Sequence, residues 1–166
     1  MKFPNFAKSY CPLLWMCHNR QIHSTINKIH ERALRIVYKD NITPFDLLLE
    51  KSGQVSIHHR NLQLLAIEIY KALKHLSSPL MSELFKVKET KYILRKGITL
   101  VSNKANTTTY GINSISYLAP KIWDHIPNEI KECESLNTFK QKIKKWIPQK
   151  CPCTLCKLYV PNLGYI

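Results

Sequence analysis

One long stretch of apolar periodicity constrains the fold more than any other feature of this chain. Within "SIHHRNLQLLAIEIYKALKHL" (56–76), apolar side chains recur every three or four residues over four helical turns. That spacing places them on one side of an α-helix, so the pattern predicts a long helix that buries this side against other elements. The predicted stripe consists of Leu62, Leu65, Ala66, Ile69, Tyr70, Leu73 and Leu76.

A second helix is predicted over "STINKIHERALRIVYKD" (24–40), with Ser24 or Thr25 as its N-cap. Its apolar positions also follow helical spacing, and the charged residues lie between them. Upstream, "YCPLLWMCHNR" (10–20) is predicted to be a short aromatic helix packed on this one. The predicted buried face consists of Ile26, Ile29, Ala33, Ile36 and Val37.

Two shorter segments carry start and stop signals for helices. "TPFDLLLEKSG" (43–53) has Thr43 as a cap, Pro44 at the first helical position and Gly53 as a stop. Ser135 caps the other segment, "LNTFKQKIKKWI" (136–147). The apolar residues of that segment form a narrow seam, and its lysines lie mostly off the seam. The seam consists of Leu136, Phe139, Ile143 and Trp146.

The middle of the chain changes character at Lys86. From here, β-branched and aromatic residues with turn formers predict extended chain with up to two short strands. Short helical segments, interrupted by Pro120 and Pro127, are predicted to follow. The predicted fold is therefore mainly α: a small irregular helical domain with a short extended or β segment in its middle and a cysteine-containing C-terminal tail. The expected regions are 1–85 (helical), 86–118 (extended connector), 119–149 (C-terminal helices) and 150–166 (basic, cysteine-rich tail).

Positive charge is spread along the whole sequence. Lys and Arg number 25 against 11 Asp and Glu, a formal net charge of +14. Evenly distributed positive charge favours an anionic partner, most often RNA or DNA, although a solvated lysine surface is the plainer alternative. The candidate nucleic-acid-binding residues surround the last helix and the tail: Lys140, Lys142, Lys144, Lys145, Lys150 and Lys157.

The tail "KCPCTLCKLY" (150–159) raises the question of a metal site. Cys151, Cys153 and Cys156 are spaced C-x-C-x-x-C, whereas structural zinc takes four tetrahedral ligands. Cys133 or His125 could supply the fourth, so zinc is the candidate cofactor. A redox pair of Cys153 and Cys156 and a set of free thiols are the alternatives.

Other residues suggest sites but are interpreted as structural. His58 and His59 are adjacent, so on a helix they point to different sides and are predicted to pack or cap rather than to share a metal. Trp123 and Trp146 lie among apolar neighbours and are predicted to be core residues rather than platforms for stacked bases.

No stretch of the sequence has the pattern of a secretory signal, and none approaches the roughly 18 apolar residues of a membrane span. We therefore expect an intracellular protein, nuclear or cytoplasmic, with no membrane partner.

Four blocks of the chain follow one another in a recognisable order. They are "CPLLWMCHNRQIHSTINKIHERALRIVYKD", "HHRNLQLLAIEIYKALKHLSSPLMSELF", "YGINSISYLAPKIWDHIPNEIKECESLNTFKQKIKKWI" and "CPCTLCKLYVPNLGYI". In this order they resemble the C-terminal region of reverse transcriptases from non-LTR (jockey-like) retrotransposons. The resemblance implies a fragment of a longer polyprotein in which an endonuclease and an RNA-directed DNA polymerase precede this part, so the polymerase domain is an expected partner.

The chain itself lacks the residues that polymerase chemistry needs. Two-metal phosphoryl transfer uses clustered carboxylates, and the family carries an aromatic-x-Asp-Asp motif for it. Here the aspartates are Asp40, Asp46 and Asp124, isolated in separate segments. The expected function is a non-catalytic segment that binds template RNA or target DNA through phosphate contacts. The alternative is a helical module, zinc-stapled or not, that docks on the polymerase body.

Overall fold

The computed structural model describes residues 20–89, 98–107, 111–112 and 114–146, with side chains from residue 25 onward. This part of the chain contains seven helices and no β-strand, which confirms the mainly α fold. None of these helices is both long and apolar enough to cross a membrane. The helices are α1 (Arg20–Tyr38), α2 (Phe45–Ser52), α3 (Ile57–Leu73), α4 (Pro79–Leu84), α5 (Ile115–His125), α6 (Asn128–Lys131) and α7 (Leu136–Lys145).

Helix α3 lies at the centre of the main core. Ser56 caps it by accepting a hydrogen bond from the His59 amide at 3.2 Å. The predicted stripe is buried from Leu62 to Tyr70, as the spacing indicated. Leu76 is 60% exposed, because α3 ends at Leu73 and His75 then takes a left-handed backbone conformation with φ of 56°.

Helices α5 and α7 both pack on α3, and aromatic rings join α7 to each of the other two helices. The Phe139 ring of α7 stacks on Tyr70 of α3 at a centroid distance of 4.2 Å and lies 6.3 Å from the ring of Trp123 on α5. The Trp123 indole donates to the Ile98 carbonyl at 2.9 Å, which ties the extended segment to the same core. Trp123 is buried and Trp146 is partly buried against this core, so both are core residues as predicted.

Helices α1 and α2 form a second, smaller cluster. Leu34 of α1 packs with Leu48 and Leu49 of α2, with Tyr38 and Phe45 at its margin. Gly53, at φ of 62°, ends α2 at the predicted position. The predicted N-cap of α1 was wrong, because the helix already begins at Arg20.

The predicted buried face of α1 is not the side that α2 covers. Ile29 is 63% exposed, Ile36 70% and Val37 40%, whereas His30 and Leu34 are buried. The reason is that α2 lies against the side of α1 that carries His30. The His30 ring meets Phe45 edge-on at 5.7 Å, and its Nε2 lies 3.1 Å from Gln54 Oε1.

The α1–α2 turn is built around Asp40. Its carboxylate accepts hydrogen bonds from the Thr43 hydroxyl (2.7 Å), the Thr43 amide (2.9 Å) and the Ile42 amide (3.1 Å). These bonds, that of the Thr43 hydroxyl above all, lower the pKa of Asp40 to about 2. The turn therefore keeps an ionised carboxylate at neutral pH, where it accepts all three bonds.

The predicted extended connector ends earlier than expected, and its described residues pair at one point. Val87 and Leu100 form one antiparallel bridge, and Lys88 N donates to Thr99 O and Val101 N to Lys86 O. The described residues contain no longer β-strand. Helix α5 begins at Ile115, inside the predicted connector, and continues through Pro120. Proline removes one helical hydrogen bond, and the burial of the surrounding apolar residues offsets that loss.

We expect truncation of the α3 stripe to be costly. Ile69 is fully buried, so Ile69→Ala should lower the free energy of unfolding by about 2–5 kcal/mol in denaturant melts. The matched control is Ile42→Ala, the same truncation at a side chain that is 94% exposed, where the change should stay within ~0.5 kcal/mol. Equal effects of the two substitutions would mean that the assignment of the core is wrong.

Candidate nucleic-acid interface

Helix α7 is anchored to the core along one side. The Ser135 hydroxyl accepts from the Thr138 amide at 3.1 Å and starts the helix at Leu136, as predicted. Phe139 and Ile143 are both fully buried against the main core. Because these two anchors lie one turn apart, they fix which side of α7 faces the solvent.

The outward side of α7 carries the predicted basic residues. Lys142, Lys144 and Lys145 are exposed, whereas Lys140 is half-buried next to the apolar seam. Leu136–Lys145 contains no acidic residue. Lysines three or four positions apart lie about 5–6 Å from each other at Cβ, so Lys140 is next to Lys144 and Lys142 next to Lys145. The helix thus presents a concentrated positive surface.

The C-terminal end of α7 is held by a side chain from α3. The Gln63 amide Nε2 donates to the carbonyl oxygens of Lys144 (3.2 Å) and Trp146 (3.0 Å). These carbonyls belong to the end of the helix, where no further turn can satisfy them. Gln63 is itself buried, so it fixes the basic end of α7 against α3. Arg60, half-buried, lies one turn before Gln63 on α3.

The opposite end of α7 is acidic. Glu129 on α6 and Glu132 and Glu134 in the turn before α7 are all exposed. Lys142 Nζ donates to the carbonyl of Glu129 at 3.2 Å, an exposed contact that contributes little. The acidic residues at the N-terminal end of α7 and the lysines at its C-terminal end also suit the helix dipole, which favours anions at the N-terminus and cations at the C-terminus. An anion approaching α7 is therefore directed to its Lys144–Lys145 end.

Several other lysines are engaged by aromatic rings. Lys121 lies 4.0 Å from the centre of the Tyr117 ring and donates to its hydroxyl at 2.6 Å. The distances from Nζ to the ring centre in the other pairs are 5.2 Å for Lys51 and Tyr38, 5.7 Å for Lys131 and Trp123, and 5.9 Å for Lys74 and Tyr70. Part of the positive charge thus covers aromatic surface of the fold itself.

The remaining predicted site residues lie outside the described residues. These are Lys150 and Lys157 of the basic set and the three cysteines Cys151, Cys153 and Cys156. Within the described part of the chain, no group of three or more His, Cys, Asp or Glu residues could hold a metal ion.

The two suggested fourth zinc ligands have different surroundings. Cys133 is buried in the main core, where its thiol donates to the Glu129 carbonyl at 3.8 Å. His125 is exposed, and its Nδ1 lies 2.8 Å from the carbonyl oxygen of Lys121. A carbonyl only accepts, so Nδ1 carries a proton, and in the neutral ring the other nitrogen, Nε2, has a lone pair for a metal. Zinc-binding histidines commonly have this second hydrogen bond to a carbonyl, so His125 fits a ligand role better than Cys133.

The other residues singled out in the sequence are dispersed. His58 and His59 are both buried near the start of α3, which confirms the packing interpretation. Asp40 lies in the α1–α2 turn, and Asp46 and Asp124 are exposed on α2 and α5.

Comparisons of this chain with protein-family models, with curated proteins and with solved structures find no match. The resemblance to reverse transcriptases therefore rests on the four sequence blocks alone.

The contact between Gln63 and α7 gives a direct test of how the basic end is held. Gln63→Met keeps the length of the side chain but removes both donors, so two carbonyls lose a partner. At about 0.5–1.5 kcal/mol for each hydrogen bond, we expect a loss of about 1–3 kcal/mol in denaturant melts and faster amide exchange near Trp146. Gln141→Met, at an exposed position of α7, is the control and should change neither quantity. Unchanged amide exchange near Trp146 in Gln63→Met would show that the Gln63 side chain does not hold the C-terminal end of α7.

Proposed function

We propose that this chain is a non-catalytic nucleic-acid-binding segment that contacts RNA or DNA phosphates through the lysines of α7. The observation that carries this proposal is the arrangement of α7 itself. Its inner side is fixed by Phe139 and Ile143 and its C-terminal end by Gln63, so its exposed lysines project from a rigid support. A rigid array of like charges favours a polyanion, because bound phosphates relieve the mutual repulsion of the lysines.

The proposed contacts carry no sequence readout. Lysine is a compact point charge on a flexible stem, so it binds phosphate oxygens without the two-point geometry that reads a base edge. Trp123 is buried and closed to base stacking, and Trp146 packs against the core. Binding should therefore depend on charge and salt rather than on base sequence.

The resemblance to non-LTR retrotransposon polymerases supplies a setting for such a segment. In a longer reverse transcriptase, α7 would hold template RNA or target DNA near a polymerase site that the upstream domain provides. This assignment places the protein inside the cell, in the nucleus or the cytoplasm. The separate positions of Asp40, Asp46 and Asp124 support a non-catalytic role, because phosphoryl transfer needs carboxylates that converge on the same metal ions.

The salt dependence of binding tests the proposal. Replacing Lys142, Lys144 and Lys145 with Ala should weaken binding of RNA and DNA of any sequence about equally. Each phosphate contact that is lost should flatten the plot of log affinity against log salt concentration by roughly 0.7–0.9, so three lost contacts should flatten it by about 2–3. Fluorescence anisotropy over a series of salt concentrations measures both quantities.

The matched control removes three charges from another surface. Lys86, Lys88 and Lys104 are exposed along the extended segment, and their replacement with Ala leaves the same net charge as the α7 variant. If both triple variants lose the same affinity and the same slope, binding reflects overall charge and α7 is not the site. If neither changes the slope, phosphate contacts do not dominate binding.

A second proposal concerns zinc and the alternative function as a docking module. The geometry of His125 favours a staple in which Cys151, Cys153, Cys156 and His125 bind one zinc ion and tie the tail to α5. Such a staple would shape the C-terminal region for docking on the polymerase body. Docking through apolar contacts would persist at high salt, whereas phosphate binding would not.

The metal content of the purified protein tests the staple. We expect one zinc per chain by elemental analysis and its loss in His125→Asn, because the hydrogen bond to Lys121 aims the Nε2 lone pair outward. His75→Asn is the control, an exposed histidine at a positive-φ position that asparagine tolerates. Absence of zinc from the unmodified protein would support the free-thiol alternative. Loss of zinc in Cys133→Ser but not in His125→Asn would assign the fourth ligand to Cys133.

A further inference from the structure

Helix α1 exposes an apolar face on the side away from α2. Ile29, Ile36 and Val37 are 63%, 70% and 40% exposed, and Ala33 between them is exposed as well. Ile26, Ile29, Ala33 and Ile36 follow the alternating three- and four-residue spacing of a helix-packing seam. We call Ile29, Ala33 and Ile36 the α1 outer face; Val37, seven residues after His30, lies at its border with the side that meets α2. Within the described residues, this face is not covered by another element.

Burial of this face would be strongly favourable. Each large aliphatic side chain contributes about 1.5–3 kcal/mol when it moves from water into an apolar contact. A seam with the spacing for helix packing also differs from isolated exposed residues, which are common on protein surfaces and need no partner. The α1 outer face therefore has the properties of a docking surface.

We propose that residues 10–17 of the same chain cover the α1 outer face. This segment, "YCPLLWMC", lies immediately upstream of α1 and contains Leu13, Leu14, Trp15 and Met16 in succession. Only His18 and Asn19 separate it from Arg20, where α1 begins. A connection of two residues is within the range that joins antiparallel helices.

The segment is long enough to reach the face. Ile26 and Ile36 lie about 9 and 24 Å along the axis of α1 from Arg20. Eight residues span about 12 Å as a helix, which reaches past Ile26 but not to Ile36. When extended they span up to about 26 Å, so covering the whole face requires the segment to be largely extended. Covalent attachment at the start of α1 also gives this segment an effective concentration of the order of millimolar, which a separate partner lacks.

Charge argues against a second copy of the chain as the occupant. Lys28 and Arg32 are exposed on α1, Lys39 is exposed directly after it, and Glu31 is already paired with Arg35 at 2.6 Å. Two α1 helices packed through this face would bring cations together with no opposing carboxylate. Residues 10–17 contain no Lys, Arg, Asp or Glu, so they can cover the face without repulsion.

This inference does not rest on nucleic-acid binding. It gives α1 packing on two sides, with α2 on one side and the upstream segment on the other. With residues 10–17 in place, the α1 outer face is no longer available for docking on another domain.

Trp15 reports whether the segment is covered. Its emission is obtained as the difference between the unmodified protein and Trp15→Phe, which removes the contributions of Trp123 and Trp146. In a protein shown to be monomeric by sedimentation, we expect Trp15 to be protected from acrylamide quenching. Placing lysines in the face, with Ile29→Lys and Ile36→Lys together, should raise its quenching constant several-fold. Ile42→Lys, at a side chain that is already 94% exposed, is the control and should leave Trp15 protected.

Each other outcome overturns the proposal. If Trp15 in the unmodified monomer is as accessible as free indole, the face is open to a partner with acidic flanks. If Trp15 is protected but does not respond to the lysines, the segment packs elsewhere. If the protein is a dimer that the lysines dissociate while Trp15 stays accessible, a second copy covers the face. Should the double variant fail to fold, Leu13→Lys with Leu14→Lys breaks the same contact from the other side, and the same increase in quenching is expected.

Discussion

The contact of Phe139 with Tyr70 and Trp123 joins the three helices on which the described fold depends. Phe139 lies on α7, Tyr70 on α3 and Trp123 on α5, so one ring fixes two helix–helix packings. The Tyr70 hydroxyl adds a hydrogen bond of 2.6 Å to the Cys133 carbonyl, just before α7. Burial, together with the nearby Cys133 and Glu134, raises the pKa of Tyr70, so this phenol keeps the proton that it donates. The orientation of α7, and of every lysine on it, follows from these contacts.

The positive charge of the chain is divided between two physical roles. Lys51, Lys74, Lys121 and Lys131 lie over aromatic rings, where their stems cover apolar surface. The exposed lysines of α7 project from a helix whose inner side and end are both held. Net charge alone indicates that an anionic partner is favoured, but it does not locate a site, because it counts both groups equally. The surroundings of each lysine make that distinction.

Much of the helical architecture could be predicted because it depends on local spacing. The α3 stripe, the seam of α7, the Ser135 cap and the stop at Gly53 are all patterns within a few residues of one another, and the structure confirms them. The buried side of α1 could not be predicted in this way. It has apolar residues on two sides, and helical periodicity shows that a side is apolar without showing which neighbour covers it. Packing against α2 selected the side of Leu34, and the described elements leave the more apolar side exposed.

The same division holds for the candidate site. The sequence by itself determined that the chain is mainly helical and cationic, that α7 has an apolar seam, and that its lysines lie mostly off that seam, because these are properties of composition and of a period of 3.6 residues. Only the tertiary structure decided that Gln63 holds the basic end of α7, since the two partners are 81 and 83 residues apart in the chain. It also decided that the Trp123 indole donates to the Ile98 carbonyl, 25 residues away, and that the Tyr70 hydroxyl donates to the Cys133 carbonyl, 63 residues away. Such contacts join distant segments, and no local pattern encodes them, because the free energy that selects them comes from burial shared among several elements at once.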